Sequence, residues 1–273
     1  MDPLLIIALI IILESVFLFP IKDRRLRERG FPWMTAVLIG VNVVVHVSLL
    51  LVAYSRNSAW PDDKAWLEFL YPAMDVADQK MGAEGLGALS SLTSFFLHAN
   101  ASHLLGNMFY LWFFGRKIED AAGPLRLCLF YLLCGFAASF VSVLANATLS
   151  PLNARVPSLG ASGAISGLMG AYLFLYSDQK IMTLISTWLG QIIAQLSGIC
   201  FIALPIPIWI PAWVFLVHAF LRDALMAQLI VEAANRGIPF SPGVGVFAHL
   251  GGALTGMVVI YFFVHPDVLA RRR

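Results

Sequence analysis

The chain has 273 residues, 59% hydrophobic and only 12% charged, with a net charge of +2. A soluble domain carries about a quarter charged residues, so the composition excludes an ordinary soluble domain and assigns the chain to lipid. The net charge is too small to suggest nucleic-acid binding. Cys128, Cys134 and Cys200 sit in apolar runs with neither metal-ligand spacing nor a disulfide pattern.

Apolar runs predict membrane helices at 4–20, 33–54, 102–115, 124–147, 160–177, 207–229 and 244–264. The first lacks the basic start and small-residue cleavage site of a signal peptide. It reads as a retained helix, weakened by Glu14 and just long enough for a crossing that takes about 20 residues. A long acidic loop, 55–97, carries Trp60, Trp66 and Tyr71.

Lysine and arginine set the orientation. Lys22, Arg24, Arg25, Arg27, Arg29, Arg116, Lys117, Arg126, Lys180 and Arg271 to Arg273 are twelve of the 18 basic residues. One alternating topology puts all twelve in the cytoplasm, with the amino terminus outside and the carboxyl terminus inside. That topology requires 181–206 not to cross. Gly190, Gln191, Gln195, Ser197 and Gly198 break its middle, and Pro205, Pro207 and Pro211 follow. It is expected to be a non-spanning hairpin. The helices at 160–177 and 244–264 then run parallel, and Ser162 and His249 enter at equal depth. With a crossing at 181–206 they would lie at opposite depths of a core about 30 Å thick.

Three sites carry candidate chemistry. In Gly160-Ala161-Ser162-Gly163-Ala164-Ile165-Ser166-Gly167, a hydroxyl stands among glycines at the start of an apolar run. That run is short for a crossing, so its start is sunk below the surface. The backbone N–H groups there must face protein or water, where they suit a developing oxyanion. Ala248-His249-Leu250-Gly251-Gly252, with Gly256, carries the second site. Small residues recur every fourth position, at Gly163 and Gly167 and at Ala248, Gly252 and Gly256, a pattern that lets membrane helices approach closely. The third site is His103 and Asn107, four apart on one helix face and polar within an apolar run. His46, His218 and Asn42 read as structural, and His98 as a loop or interfacial residue. No Asp or Glu occurs between Ser162 and Tyr176 or between Val244 and His265. His249 is therefore expected to serve Ser162 as a dyad partner, its ring oriented by packing and hydrogen bonds.

Together these sites resemble the rhomboid family of intramembrane serine proteases, over residues 31–264. The resemblance rests on Gly160-Ala161-Ser162-Gly163-Ala164 with Gly167, on Ala248-His249 with Gly252 and Gly256, and on His103-Leu104-Leu105-Gly106-Asn107. Pro32-Trp33-Met34-Thr35, Phe95-Phe96-Leu97-His98 and Ile210-Pro211-Ala212-Trp213 fit as well. It implies an all-α polytopic membrane bundle: a six-helix core preceded by one extra helix. The expected layout is 1–30 as that helix and a basic linker, 31–264 as the protease domain and 265–273 as a basic tail. It implies that Ser162 attacks, His249 is the base, and His103, Asn107 and the Ser162 N–H stabilise the oxyanion. Substrates would be transmembrane proteins in the bilayer, with no cofactor, metal or nucleic acid. The helix at 207–229 and the loop at 231–243 would form gate and cap. One departure is Ser166, where the family often has an aromatic packed under the histidine ring. A catalytically silent member that binds transmembrane clients is the alternative, and a transporter is disfavoured because the polar residues cluster near one face. The composition, without a mitochondrial-type targeting stretch, is compatible with a bacterial inner membrane.

Overall fold

Lipid offers backbone polar groups no partner, so apolar crossing segments satisfy them internally as helices. A computed structural model of the chain describes residues 3–14, 16–23, 30–57, 60–70, 90–149, 158–187, 206–238, 240 and 245–270. Its elements are α1 (Pro3–Glu14), β1 (Val16–Asp23), α2 (Trp33–Asn57), α3 (Asp63–Leu70) and α4 (Ala101–Tyr110). A π-helical turn, Leu111–Gly115, joins α4 to α5 (Arg116–Ala122). Then come α6 (Pro124–Thr148), α7 (Ser162–Tyr176), β2 (Lys180–Thr187), β3 (Ile206–Pro211), α8 (Ala212–Asn235) and α9 (Val246–Val259). Within α2, α6 and α8, the stretches Trp33–Arg56, Pro124–Thr148 and Ala212–Asn235 are long and apolar enough to cross a membrane. The chain is thus a mostly helical, multi-pass membrane bundle. Arg24 to Arg29, Arg271 to Arg273, the middle of the 181–206 insertion and part of the expected cap loop lie outside the described residues.

The run 4–20 is not the single spanning helix expected. α1 stops at Glu14 after 12 residues, a rise of about 18 Å and well short of a crossing. Pro20 cannot sit inside a helix, and the chain around it extends as β1. The pairing of β1 with β2 slips between Pro20 and Lys22, beside the residue that has no N–H to give. α1 lies on α8 instead, with Ile6 and Ile10 against Leu225. The Tyr172 hydroxyl donates to Asp23 Oδ2, tying β1 to α7.

The helix expected at 207–229 begins at Ala212, because 206–211 forms β3. The three strands make an antiparallel sheet in the order β1-β2-β3, an addition to the helical bundle that helix periodicity does not announce. Lys180 stands opposite Pro211 and Ile185 opposite Ile206. The two described ends of the insertion therefore run side by side, and α8 is the one helix between α7 and α9 among the described residues.

α7 and α9 touch backbone to backbone. A Cβ at Gly252 would fall on the Gly163 carbonyl oxygen, and one at Gly256 on that of Gly167. Both members of each pair advance by four, so the helices run parallel, one helical repeat at a time. On the far side of α7, a Cβ at Gly163 would stand 2.7 Å from the Ala138 Cβ of α6. At the other end of the bundle the buried Glu119 carboxylate caps α2. It accepts from the N–H groups of Met34 and Thr35 at 2.9 and 2.8 Å and from the Thr35 hydroxyl at 2.7 Å. This places a negative group where the helix dipole favours it.

Gly256→Val should destabilise the bundle by at least about 1–3 kcal/mol, the usual range for overpacking, because its side chain meets unyielding backbone. Thermal unfolding in detergent checks this, against Gly106→Ala, where a Cβ meets nothing within 4 Å.

Candidate active site

Ser162 is the first residue of α7. The turn before it is made by Gly160, at a φ of +113° that side-chain-bearing residues rarely adopt. The Gly160 N–H donates to Ser94 O at 2.8 Å, pinning the turn to the loop before α4. The first rung of the α7 ladder is Ile165 N–H to Ala161 O at 3.0 Å. The N–H groups of Ser162, Gly163 and Ala164 precede that rung, as at any helix start.

His103 and Asn107 bear on the same turn. A Cβ on Gly160 would stand 2.9 Å from His103 Cε1, 3.0 Å from His103 Nε2 and 3.4 Å from Asn107 Nδ2. Asn100 caps α4 by accepting from the His103 N–H at 2.9 Å. The Ala99 N–H points to His103 Nδ1 at 3.4 Å. A nitrogen that accepts there carries no proton, so in the neutral ring Nε2 holds the N–H, on the side of Gly160. Asn107 is buried, and its Nδ2 has no hydrogen-bond partner among the described residues. A buried unspent donor costs roughly 1–3 kcal/mol, and this one lies beside the turn that presents Ser162.

His249 sits in the first turn of α9, its N–H bonded to Gly245 O at 3.0 Å. Its Nε2 lies 2.9 Å from Ser162 Oγ. The parallel α7–α9 contact thus joins two residues 87 positions apart. Ser94, Ser139, Ser158 and Gly245 line a recess beside Ser162. Gly163, Gly167, Gly252 and Gly256 hold the two helices at this spacing. Ser166 is buried in α7.

The expectation of a histidine without a carboxylate needs correction. His249 Nδ1 lies 2.9 Å from Asp223 Oδ2. Both motif helices do lack Asp and Glu, but α8 passes alongside and supplies one. Asp223 Oδ1 in turn accepts from Arg222 Nη2 at 2.9 Å and from Nε at 3.3 Å. The side chains of His249 and Asp223 are 13% and 6% exposed, and that of Arg222 is 40% exposed. Asp223 shares the inner stripe of α8 with the buried Leu216, Ala227 and Ile230. A carboxylate on the buried stripe of an apolar span was the signal available in the sequence.

The remaining histidines also find places. His98 is fully buried rather than interfacial, its ring centroid 5.2 Å from that of His103. Trp66 of α3 donates from Nε1 to His98 O at 3.0 Å, and the His46 ring meets Trp66 edge-on at 5.4 Å. This cluster backs His103 and carries α3 over the bundle. His218 Nε2 stands 3.1 Å from Leu13 O, against the end of α1.

A polytopic helical membrane protein with a serine, an imidazole and a carboxylate in one hydrogen-bonded line is the class that fold and geometry define. Residues 87–266 match the family model described as the Rhomboid domain. The chain is 32% identical over 259 residues to "RHOMBOID-like protein 6, mitochondrial" of Arabidopsis thaliana, covering 86% of this chain and 71% of that protein. It is 26% identical over 251 residues to "RHOMBOID-like protein 1" of the same plant, covering 86% and 54%. It is 27% identical over 236 residues to "Rhomboid protein 1, mitochondrial" of Saccharomyces cerevisiae, covering 86% and 55%. The chain therefore spans from about half to seven-tenths of the length of these relatives. It belongs to the rhomboid family.

Gly160→Ala should cost about 1–3 kcal/mol from backbone strain alone and should push the His103 ring out of place. A lowered midpoint of thermal unfolding is the expected result, relative to Gly30→Ala, where φ is not positive and a Cβ meets nothing within 4 Å.

Proposed function

We propose that this protein is an intramembrane serine endopeptidase that cuts the transmembrane segments of other membrane proteins. The observation that carries the reading is the 2.9 Å contact between Ser162 Oγ and His249 Nε2, in the first turns of two glycine-packed helices. Ser162 Oγ attacks the peptide carbonyl carbon while its proton passes to His249 Nε2. The carbonyl oxygen becomes an oxyanion, for which His103 Nε2, Asn107 Nδ2 and the Ser162 N–H are the proposed donors. The C–N bond then breaks, and the leaving amine takes the proton from Nε2. A water attacks the acyl-serine ester and gives a proton to Nε2. The ester C–O bond breaks, and that proton returns to Ser162 Oγ.

Membrane geometry supports the same reading. A peptide bond in an intact transmembrane helix is shielded by its own hydrogen bonds, so a substrate must unwind to present its carbonyl. The polar recess lined by Ser94, Ser139 and Ser158 offers the partners that lipid lacks and a route for the second-step water. The end carrying Arg116, Lys117, Arg126 and Lys180 is proposed to face the cytoplasm, with the site near the opposite face. The bacterial inner membrane is the proposed address and rests on composition alone.

Cleavage of a transmembrane substrate by purified protein in liposomes tests the reading. Ser162→Ala and His249→Ala should each abolish cleavage with thermal stability retained. Asn107→Ala should reduce kcat by about 10²–10³, the loss typical of one oxyanion donor. Normal cleavage by Ser162→Ala would overturn the assignment, and an unchanged rate in Asn107→Ala would remove that residue from the oxyanion role.

A further inference from the structure

Asp223 is a titratable side chain of the site for which a Ser–His pair has no place. A carboxylate inside an apolar helix is expensive unless it is paired. Its two oxygens are both engaged, Oδ2 with His249 Nδ1 at 2.9 Å and Oδ1 with Arg222 at 2.9 Å. The guanidinium, 2.9 Å from Oδ1, balances the carboxylate's charge. An ionised carboxylate can only accept, so the Oδ2 contact requires a proton on Nδ1. A neutral imidazole carries a single N–H, which leaves Nε2 bare. Nε2 is the nitrogen 2.9 Å from Ser162 Oγ. The other tautomer would donate to Ser162 and have no lone pair to take its proton.

We infer that Asp223 is a positioning residue that locks His249 in the Nδ1–H tautomer and steadies the imidazolium formed during attack, so that the working unit is a Ser162–His249–Asp223 triad. Arg222 holds the far oxygen and fixes the carboxylate's orientation. The inference rests on the protease reading above and adds to it the source of the ring's orientation. Asp223 touches neither substrate nor the reacting atoms and acts through His249.

The experiment uses the full chain in liposomes, with two readouts. In cleavage of a transmembrane substrate, Asp223→Asn should lower kcat by about 10²–10⁴-fold with KM unchanged, and Asp223→Glu should recover part of the loss. The second readout needs no turnover. Nitrogen-15 spectra of histidine-labelled protein, with His249 assigned by its loss in His249→Gln, should show neutral His249 protonated at Nδ1. In Asp223→Asn, whose amide can donate to Nδ1, the proton should move to Nε2. A kcat within about threefold of the parent in Asp223→Asn, or an Nε2–H tautomer in the parent, would overturn the inference. Cleavage that survives Ser162→Ala would instead sink the protease reading, while the parent tautomer would still decide the role of Asp223.

Discussion

Two helix backbones meeting without side chains between them is the constraint on which the structure depends. A serine hydroxyl reaches only one bond beyond its Cβ. The helix that carries the imidazole is brought close to it by small residues at the contact. Gly163 and Gly167 on α7, against Gly252 and Gly256 on α9, remove the side chains that would hold them apart. The register is equally strict. A slip of one residue would turn His249 by about 100° around its helix and carry it away from Ser162. Because the contacts repeat every four residues along both helices, they set distance, direction and register together.

The polar groups of the site obey the rules of a low-dielectric interior. Arg222 neutralises Asp223, Asp223 engages His249, and His249 faces Ser162. Only Arg222 reaches substantially outward, at 40% exposed, so the chain of contacts runs from a buried hydroxyl to a wet edge. The small residues before α7 have a related role. Gly160 bends the chain so that the His103 ring and the Asn107 amide lie against the turn that leads into the first N–H groups of the helix. Such free donors would be intolerable facing lipid and are suited to a charge that exists only briefly.

The spacing of small residues around Ser162 and His249 was legible because close helix packing leaves a four-residue signature in the sequence. The parallel direction of their helices followed from counting crossings, which depended on reading 181–206 as a hairpin. Its strands were not legible. β2 finds its partners in β1, more than 150 residues upstream, and in β3, and short apolar runs look alike whether they coil or extend. The same ambiguity made 4–20 look like one helix, although Pro20 carried the warning. Asp223 was hidden for a different reason. It lies on neither motif helix, and a triad is assembled in space rather than along the chain. Ser166, standing where relatives of this family often have an aromatic, posed the question of what orients the imidazole, and Asp223 is the group in position to answer it.

Chemical trapping of the serine asks most directly whether the α7–α9 contact makes Ser162 a nucleophile. Protein held in liposomes would be treated with a fluorophosphonate and digested for mass spectrometry. The account predicts a single adduct on Ser162, formed in the parent and lost in His249→Ala. An adduct on another serine, no adduct at all, or labelling of Ser162 at the same rate without His249 would contradict it.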